Sequence, residues 1–443
     1  MKKFYFCARD IRDYLRGVMN TRELDNTPDF EPNFPALTDA PAIQDFLFDV
    51  MKIYEQREEL CDAPIYGETG IDGLRLDFNF GLRLDVPEGS FHVTISDDNG
   101  QIFFDRDISG VRLISVEKYF IRWRVEIFLD GAKIFNHTLN LDGQKVFLNF
   151  DKRNGLGDIL ALLPSIGAFK QKFNCAVSIS LPEHMREFAA SIYPEITQVD
   201  ANSFDNYATY FYKMYGGDFP FCKADFRRVP LNHMANYIVG LEALPIKPPF
   251  KPTVPPVTDA PYVCISVQAS TPLKGWLYPG GWKLIVDYLK SLGYRVFCID
   301  KKNLQREGNY SVAMPNNAED FTGDFSIMER ANMLYHAEFF IGLSSGLSWL
   351  ADFVNCPVVM ICGFSQDWFE FYTPYRVANR LLCNGCFNDV RVSFIHNVCP
   401  YHEGTARELE CQKKIFPSQV IDAINRLILD KNLTPPILRS GKF

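Results

Sequence analysis

Three short stretches carry residue types and spacings suited to group transfer, and a fourth suits a metal ion. The first is NGLGDILALLPSI, residues 154–166. Gly155 and Gly157 allow a sharp turn off a strand and the close approach of a ligand, with Asn154 opening the loop. Asp158 follows at the start of a helix, where the helix dipole stabilises a carboxylate. A carboxylate there either caps the helix or acts as a base on a hydroxyl nucleophile. The stretch lacks the Lys-Ser/Thr of a Walker A loop and the third glycine of a dinucleotide fingerprint.

The second stretch, SVQASTPLKGWLYPGGWKLIVDYL, places Ser270, Thr271 and Lys274 just after a strand. Small hydroxyls and a cation at the carboxyl end of a strand suit a diphosphate, the plainer alternative being a solvated lysine. Asp300 ends the next strand, where an acid can accept from ribose hydroxyls. The third stretch, IGLSSGLSWLADFVNCPVVMI, runs through Ser344, Ser345 and Gly346 into a helix whose free backbone N–H groups can face an anion.

The fourth stretch, LLCNGCFNDVRVSFIHNVCPYHEGTARELEC, holds four of the twelve cysteines. Cys383, Cys386, Cys399 and Cys411 are separated by 2, 12 and 11 residues. A two-residue gap suits a knuckle of a tetrahedral thiolate site, but the second half is not CxxC, and His396 and His402 are close enough in sequence to substitute. A disulfide or free thiols are the alternatives. Chemistry alone favours zinc in a closed four-cysteine site. Such a metal would be structural, ordering a segment with little core of its own.

Composition limits the setting. The chain of 443 residues is 47% hydrophobic, enough for several cores. A net charge of −8 argues against a general nucleic-acid binder. No apolar run is long enough for a membrane helix, and the apolar stretch after Lys3 is too short for a secretory signal. A cytoplasmic protein is expected, where thiols stay reduced and the other eight cysteines are small buried hydrophobes.

The elements that must position these residues fall into blocks. Residues 1–70 read as a helical extension, with Ala42, Ile43, Phe46, Leu47, Val50, Met51 and Tyr54 at helical spacing. Over 71–150 the period becomes two, broken by Asp98-Asn99-Gly100, Asp130-Gly131 and Asp142-Gly143, which predicts an antiparallel barrel or sandwich. Residues 151–256 read as a first α/β domain, entered by a strand at 146–150, with a helix at 159–173, a strand at 176–181 and a helix at 182–193. Six prolines in 247–261 form a stiff spacer. Residues 257–380 read as a second α/β domain with strands at 262–268, 294–299, 338–343 and 357–362. The cysteine finger (381–416) and a terminal helical segment (417–443) complete an α/β chain of two doubly wound, Rossmann-like domains. Such domains hold ligands in the cleft between the carboxyl ends of their sheets.

The order xGDxLxxxP (Gly157, Asp158, Pro164), then Lys274, then GLSSGLSWLA resembles the heptosyltransferases, which have the two-domain B-type glycosyltransferase architecture. Heptosyltransferases of the lipopolysaccharide core usually carry D-T-G-L-S-H at the third motif and begin directly with the first α/β domain. Here Ser344-Ser345-Gly346-Leu347-Ser348-Trp349 stands at that motif, and about 150 residues precede the first domain. With its β-domain and cysteine finger, the chain over roughly 70–430 looks like the bacterial autotransporter heptosyltransferases. That resemblance implies inverting transfer of heptose from ADP-heptose to serine hydroxyls of an autotransporter passenger, with Asp158 as base. It places Lys274, Ser270, Thr271, Ser344, Ser345 and Gly346 on the diphosphate and Asp300 on the nucleoside. It implies iron rather than zinc on the four cysteines, and rings of twelve subunits. The competing readings are a lipopolysaccharide-core heptosyltransferase and a non-catalytic sugar-nucleotide-binding scaffold.

Overall fold

The structure, a computed structural model, describes residues 2–6, 61–152, 154–200, 205–213, 221–242, 247–307, 310–392 and 398–439. The helix expected around 42–54 lies outside them, as does His396.

Two four-stranded sheets form the β region. In one, Phe91–Asp97 lies between Ile102–Ile108 and Trp123–Leu129, with Ala132–Thr138 outermost, all antiparallel. Gly100 (φ 85°) and the pair Asp130–Gly131 (φ 49° and 80°) close its hairpins, as positive φ demands. The third expected hairpin, at Asp142-Gly143, does not form. Lys145–Phe150 instead leaves to join the next sheet. The other β sheet has the order Lys2–Phe6, Val111–Ser115, Arg83–Val86, Arg75–Asp77, and its first pair is parallel. The start of the chain is therefore a strand where a helical extension was expected; the aromatic-rich KKFYF has β propensity.

The first α/β sheet is wholly parallel, in the order Thr197–Gln198, Ala176–Ser180, Lys145–Phe150, Ala208–Tyr212. The helix expected over 159–173 is two helices, Leu156–Leu162 and Ser165–Phe173. Pro164 stands at the break, because it has no N–H for the helical ladder and its ring crowds the preceding turn. The second sheet has six parallel strands in the order Glu319–Asp320, Arg295–Cys298, Tyr262–Ile265, Phe339–Leu343, Val358–Ile361, Arg376–Val377. Helices Gly281–Ser291, Ile327–His336, Gly346–Phe353 and Pro417–Asp430 pack around it.

The blocks share buried surface. One apolar core runs from Val93 and Trp123 through Val146 and Ile159 into Phe297 and Leu350, and it includes Cys386 and Cys399. The proline-rich spacer is fastened as well. The ring of Phe250 lies 6.1 Å from Phe188 on a first-domain helix and 5.7 Å from Tyr335 on a second-domain helix.

Candidate active site

Two strand–turn–helix crossings, one from each α/β domain, meet at their turns. In the first, Asn154 anchors the loop by donating from Nδ2 to the Tyr212 carbonyl at 3.0 Å. Asp158 is partly exposed in the first turn of Leu156–Leu162, and its Oδ2 accepts from Gly155 N at 2.8 Å. The capping role is therefore present. It engages Oδ2 of the carboxylate.

The glycines are where backbones touch. A methyl group built on Gly157 would lie 2.9 Å from Trp349 Cδ1 and 3.5 Å from Gly346 Cα. One built on Gly346 would lie 2.9 Å from Leu156 Cβ. Glycine at both positions lets the helix N-termini of the two domains approach this closely.

In the second crossing the two serines differ. Ser344 is buried, and its hydroxyl donates to the Glu370 carboxylate. Glu370 also accepts from Ser365 Oγ at 2.5 Å and from Arg376 Nη1 at 2.8 Å. The Ser344 hydroxyl is thus turned into a buried ionic network. The Ser345 Oγ is buried, and of the two hydroxyls it is the one left without a hydrogen-bond partner among the described residues.

In the Lys274 loop, Thr271 caps a short 3-10 turn, its Oγ1 accepting from Leu273 N at 3.3 Å. Ser270 is exposed, and the Lys274 ammonium stands 5.7 Å over the Phe364 ring. Asp300 is buried and accepts from Ser266 Oγ at 2.6 Å, Val267 N at 2.8 Å and Gln268 N at 3.3 Å. Burial raises its pKa, and these donors oppose the rise. Both carboxylate oxygens are occupied by the chain, so in this structure Asp300 shapes the loop after Tyr262–Ile265.

The four finger cysteines are free thiols, three of them buried and Cys383 half-buried. Each of the six pairs lies within electrostatic reach, so the thiols share one locus. Burial first, and then the neighbouring thiols, raise the pKa of Cys386 and Cys411, the latter to about 12. Four clustered thiols suit a soft metal in donor chemistry. Among the described residues, however, no three Cys, His, Asp or Glu side chains form a group that could hold a metal ion. The expected metal finger is therefore seen as a thiol cluster, not as a formed ligand shell.

The finger also joins both α/β domains. Arg227 of the first donates to the carbonyls of Val392 at 2.7 Å and Val390 at 2.9 Å. Phe387 packs on Phe364 and Phe369 of the second, at 4.9 and 4.8 Å between ring centroids. Sequence reasoning missed Glu370, Arg376 and Trp349, although Trp349 lies inside the quoted third stretch. It offered no signal for the first two beyond opposite charges six residues apart.

Comparison with known proteins agrees with this arrangement. Residues 70–131 match the family model described as the N-terminal domain of glycosyltransferase TibC. The chain is 40% identical over 370 residues to the autotransporter heptosyltransferase BAHTCr of Citrobacter rodentium, covering 81% of this chain and 90% of that protein. It is 32% identical over 375 residues to BimC of Burkholderia thailandensis, described as an inactive autotransporter heptosyltransferase, covering 81% of this chain and 86% of that one. The crystal structure of an iron-containing dodecameric glycosyltransferase, TibC of enterotoxigenic E. coli, superposes with a TM-score of 0.78 at 37% identity, covering 84% of this chain and 99% of that chain. A second TibC structure, in complex with ADP-D-beta-D-heptose, also gives a TM-score of 0.78 at 37% identity, covering 83% and 98%. With such identity over most of its length, the chain belongs to the autotransporter heptosyltransferase family.

Proposed function

We propose that the chain transfers heptose from ADP-heptose to serine hydroxyls of an autotransporter passenger, with inversion at the anomeric carbon. The observation that carries this reading is the meeting of the Asp158 turn with the Ser345–Gly346 turn through Gly157. Asp158 takes the proton of the acceptor hydroxyl as its oxygen bonds to the anomeric carbon. The carbon–oxygen bond to the diphosphate breaks, and ADP leaves with the electron pair. Lys274 offsets charge developing on the leaving diphosphate, which Ser270, Thr271, Ser345 and the Gly346 backbone hold. Ser344 and Asp300 also brace these loops from within, through Glu370 and through Ser266, Val267 and Gln268.

The four cysteines hold one structural metal ion, with iron favoured by likeness to TibC and zinc as the alternative. Assembly into a large homo-oligomer follows the same likeness. No helix among the described residues is long and apolar enough to cross a membrane. We place its action in the cytoplasm, where thiols stay reduced and can bind a metal. BimC shows that relatives of this kind include an inactive protein, so activity must be tested on the residues and not taken from the fold. Purified chain mixed with ADP-heptose and a passenger fragment should release ADP and add heptose to serine. ADP-heptose bound but not consumed, with acceptor present, would favour the scaffold reading.

A further inference from the structure

The loop carrying Lys274 is stitched on both sides to the segment that follows the last finger cysteine. Gln412, fully buried and next to Cys411, donates from Nε2 to the Leu273 carbonyl at 2.6 Å. Its own carbonyl accepts from Leu277 N at 3.1 Å. Three residues further on, the Ile415 carbonyl accepts from the buried Trp276 indole N–H at 2.9 Å. Lys274 thus lies between two attachments, at Leu273 on one side and at Trp276 and Leu277 on the other. The residues bonded are about 139 positions apart in the chain, so local sequence does not impose this pairing.

We propose that Gln412 is a positioning residue for donor binding. It fixes the Lys274 loop to the finger segment and so sets where the Lys274 ammonium meets the donor diphosphate. The inference rests on the reading of Lys274 given above and deepens it, because it makes the finger segment a part of the donor site's support. The physical reason is loop entropy. A side chain on an untethered loop must be ordered when the anion binds, whereas a loop held at both ends is ordered beforehand. Loss of one buried hydrogen bond also leaves the Leu273 carbonyl without its donor.

The test uses the full chain and ADP as the probe, with affinities measured by calorimetry. Gln412→Met keeps length and removes the N–H donors, and Trp276→Phe keeps a large ring and removes the indole N–H. Each should weaken ADP binding about five- to tenfold, as expected for one buried hydrogen bond. Each should raise the KM for the sugar nucleotide and lower kcat as well, because Lys274 acts on charge that develops during transfer. Gln412→Met combined with Lys274→Ala should lose little more ADP affinity than Lys274→Ala alone, a non-additivity that general destabilisation does not produce. If Gln412→Met fails to fold, Trp276→Phe carries the test, since it keeps an aromatic ring at this buried position. Unchanged ADP affinity in the folded variants, with Lys274→Ala weakened, would overturn the brace alone. Unchanged affinity in Lys274→Ala would overturn the underlying reading of the lysine instead.

Discussion

Gly157 and Gly346 face one another so closely that a Cβ on the first would stand 3.5 Å from the Cα of the second. This contact brings the turn that precedes Asp158 in one domain to the helix N-terminus of the other. Gly346→Ala would drive its new methyl to 2.9 Å from Leu156 Cβ. It should cost about 1–3 kcal/mol of stability, as overpacking does, and lower kcat/KM by at least about tenfold. Denaturant melts and donor kinetics on one preparation check both numbers. Wild-type kinetics in Gly346→Ala would show that the close approach is not needed.

Asp158→Asn keeps the size of the side chain and an oxygen able to accept from Gly155 N. The cap should survive and the base should not. Transfer should fall at least about a hundredfold, the usual loss for a general base, with an unchanged melting temperature. ADP affinity, measured by calorimetry, should stay close to that of the wild type.

The Glu370–Arg376 pair is almost wholly buried, with side chains 1% and 7% exposed. Glu370→Ala leaves the guanidinium without that partner and releases the Ser344 hydroxyl. Breaking a buried pair from one side should cost about 3–5 kcal/mol. Glu370→Gln, which retains acceptors for Ser344 and Ser365, should cost less than Glu370→Ala in the same chemical denaturation series.

Cys383→Ser should strip the metal that we assign to the thiol cluster, read by elemental analysis of protein purified without chelator. A free-standing finger would then unfold by itself. Cys386 and Cys399, however, belong to the core shared by both α/β domains. The substitution should therefore lower the melting midpoint of the whole chain. A single lowered transition supports this, and a separate early transition would show an independent finger. Absence of iron and zinc from the wild-type protein would remove the metal from the account.

Burial raises the pKa of Asp300 above the usual value for aspartate. The folded state then holds this proton more tightly than the unfolded chain does. Its contribution to stability is complete below the ordinary aspartate range, near about pH 4, and is lost as pH rises through the raised folded value. Asp300→Asn should flatten that part of the stability–pH curve, measured by denaturation from acid to neutral pH. An unchanged slope would mean that Asp300 titrates alike in both states.

Local chemistry was legible in the sequence. Glycine turns, period-two alternation and strand-to-helix crossings located the loops of Asp158, Lys274 and Ser345, because each signal is complete within a few residues. Contacts across the chain were not legible. Nothing near Ser344 announces Glu370, and nothing near Leu273 announces Gln412, 139 residues away. Asp300 shows the same limit. A strand-end acid reads alike in sequence whether it faces a ribose or its own loop, and its bonds to Ser266, Val267 and Gln268 leave no local signal. The helix break at Pro164 was visible as a proline, but helical spacing on both sides of it concealed the stop.

The central claim is transfer of heptose to serine through Asp158. Mass spectrometry of an autotransporter passenger co-expressed with this chain tests it most directly. The account predicts passenger serines carrying added masses of heptose, which are absent when Asp158→Asn replaces the wild type. An unmodified passenger, hexose in place of heptose, or full modification by Asp158→Asn would contradict it.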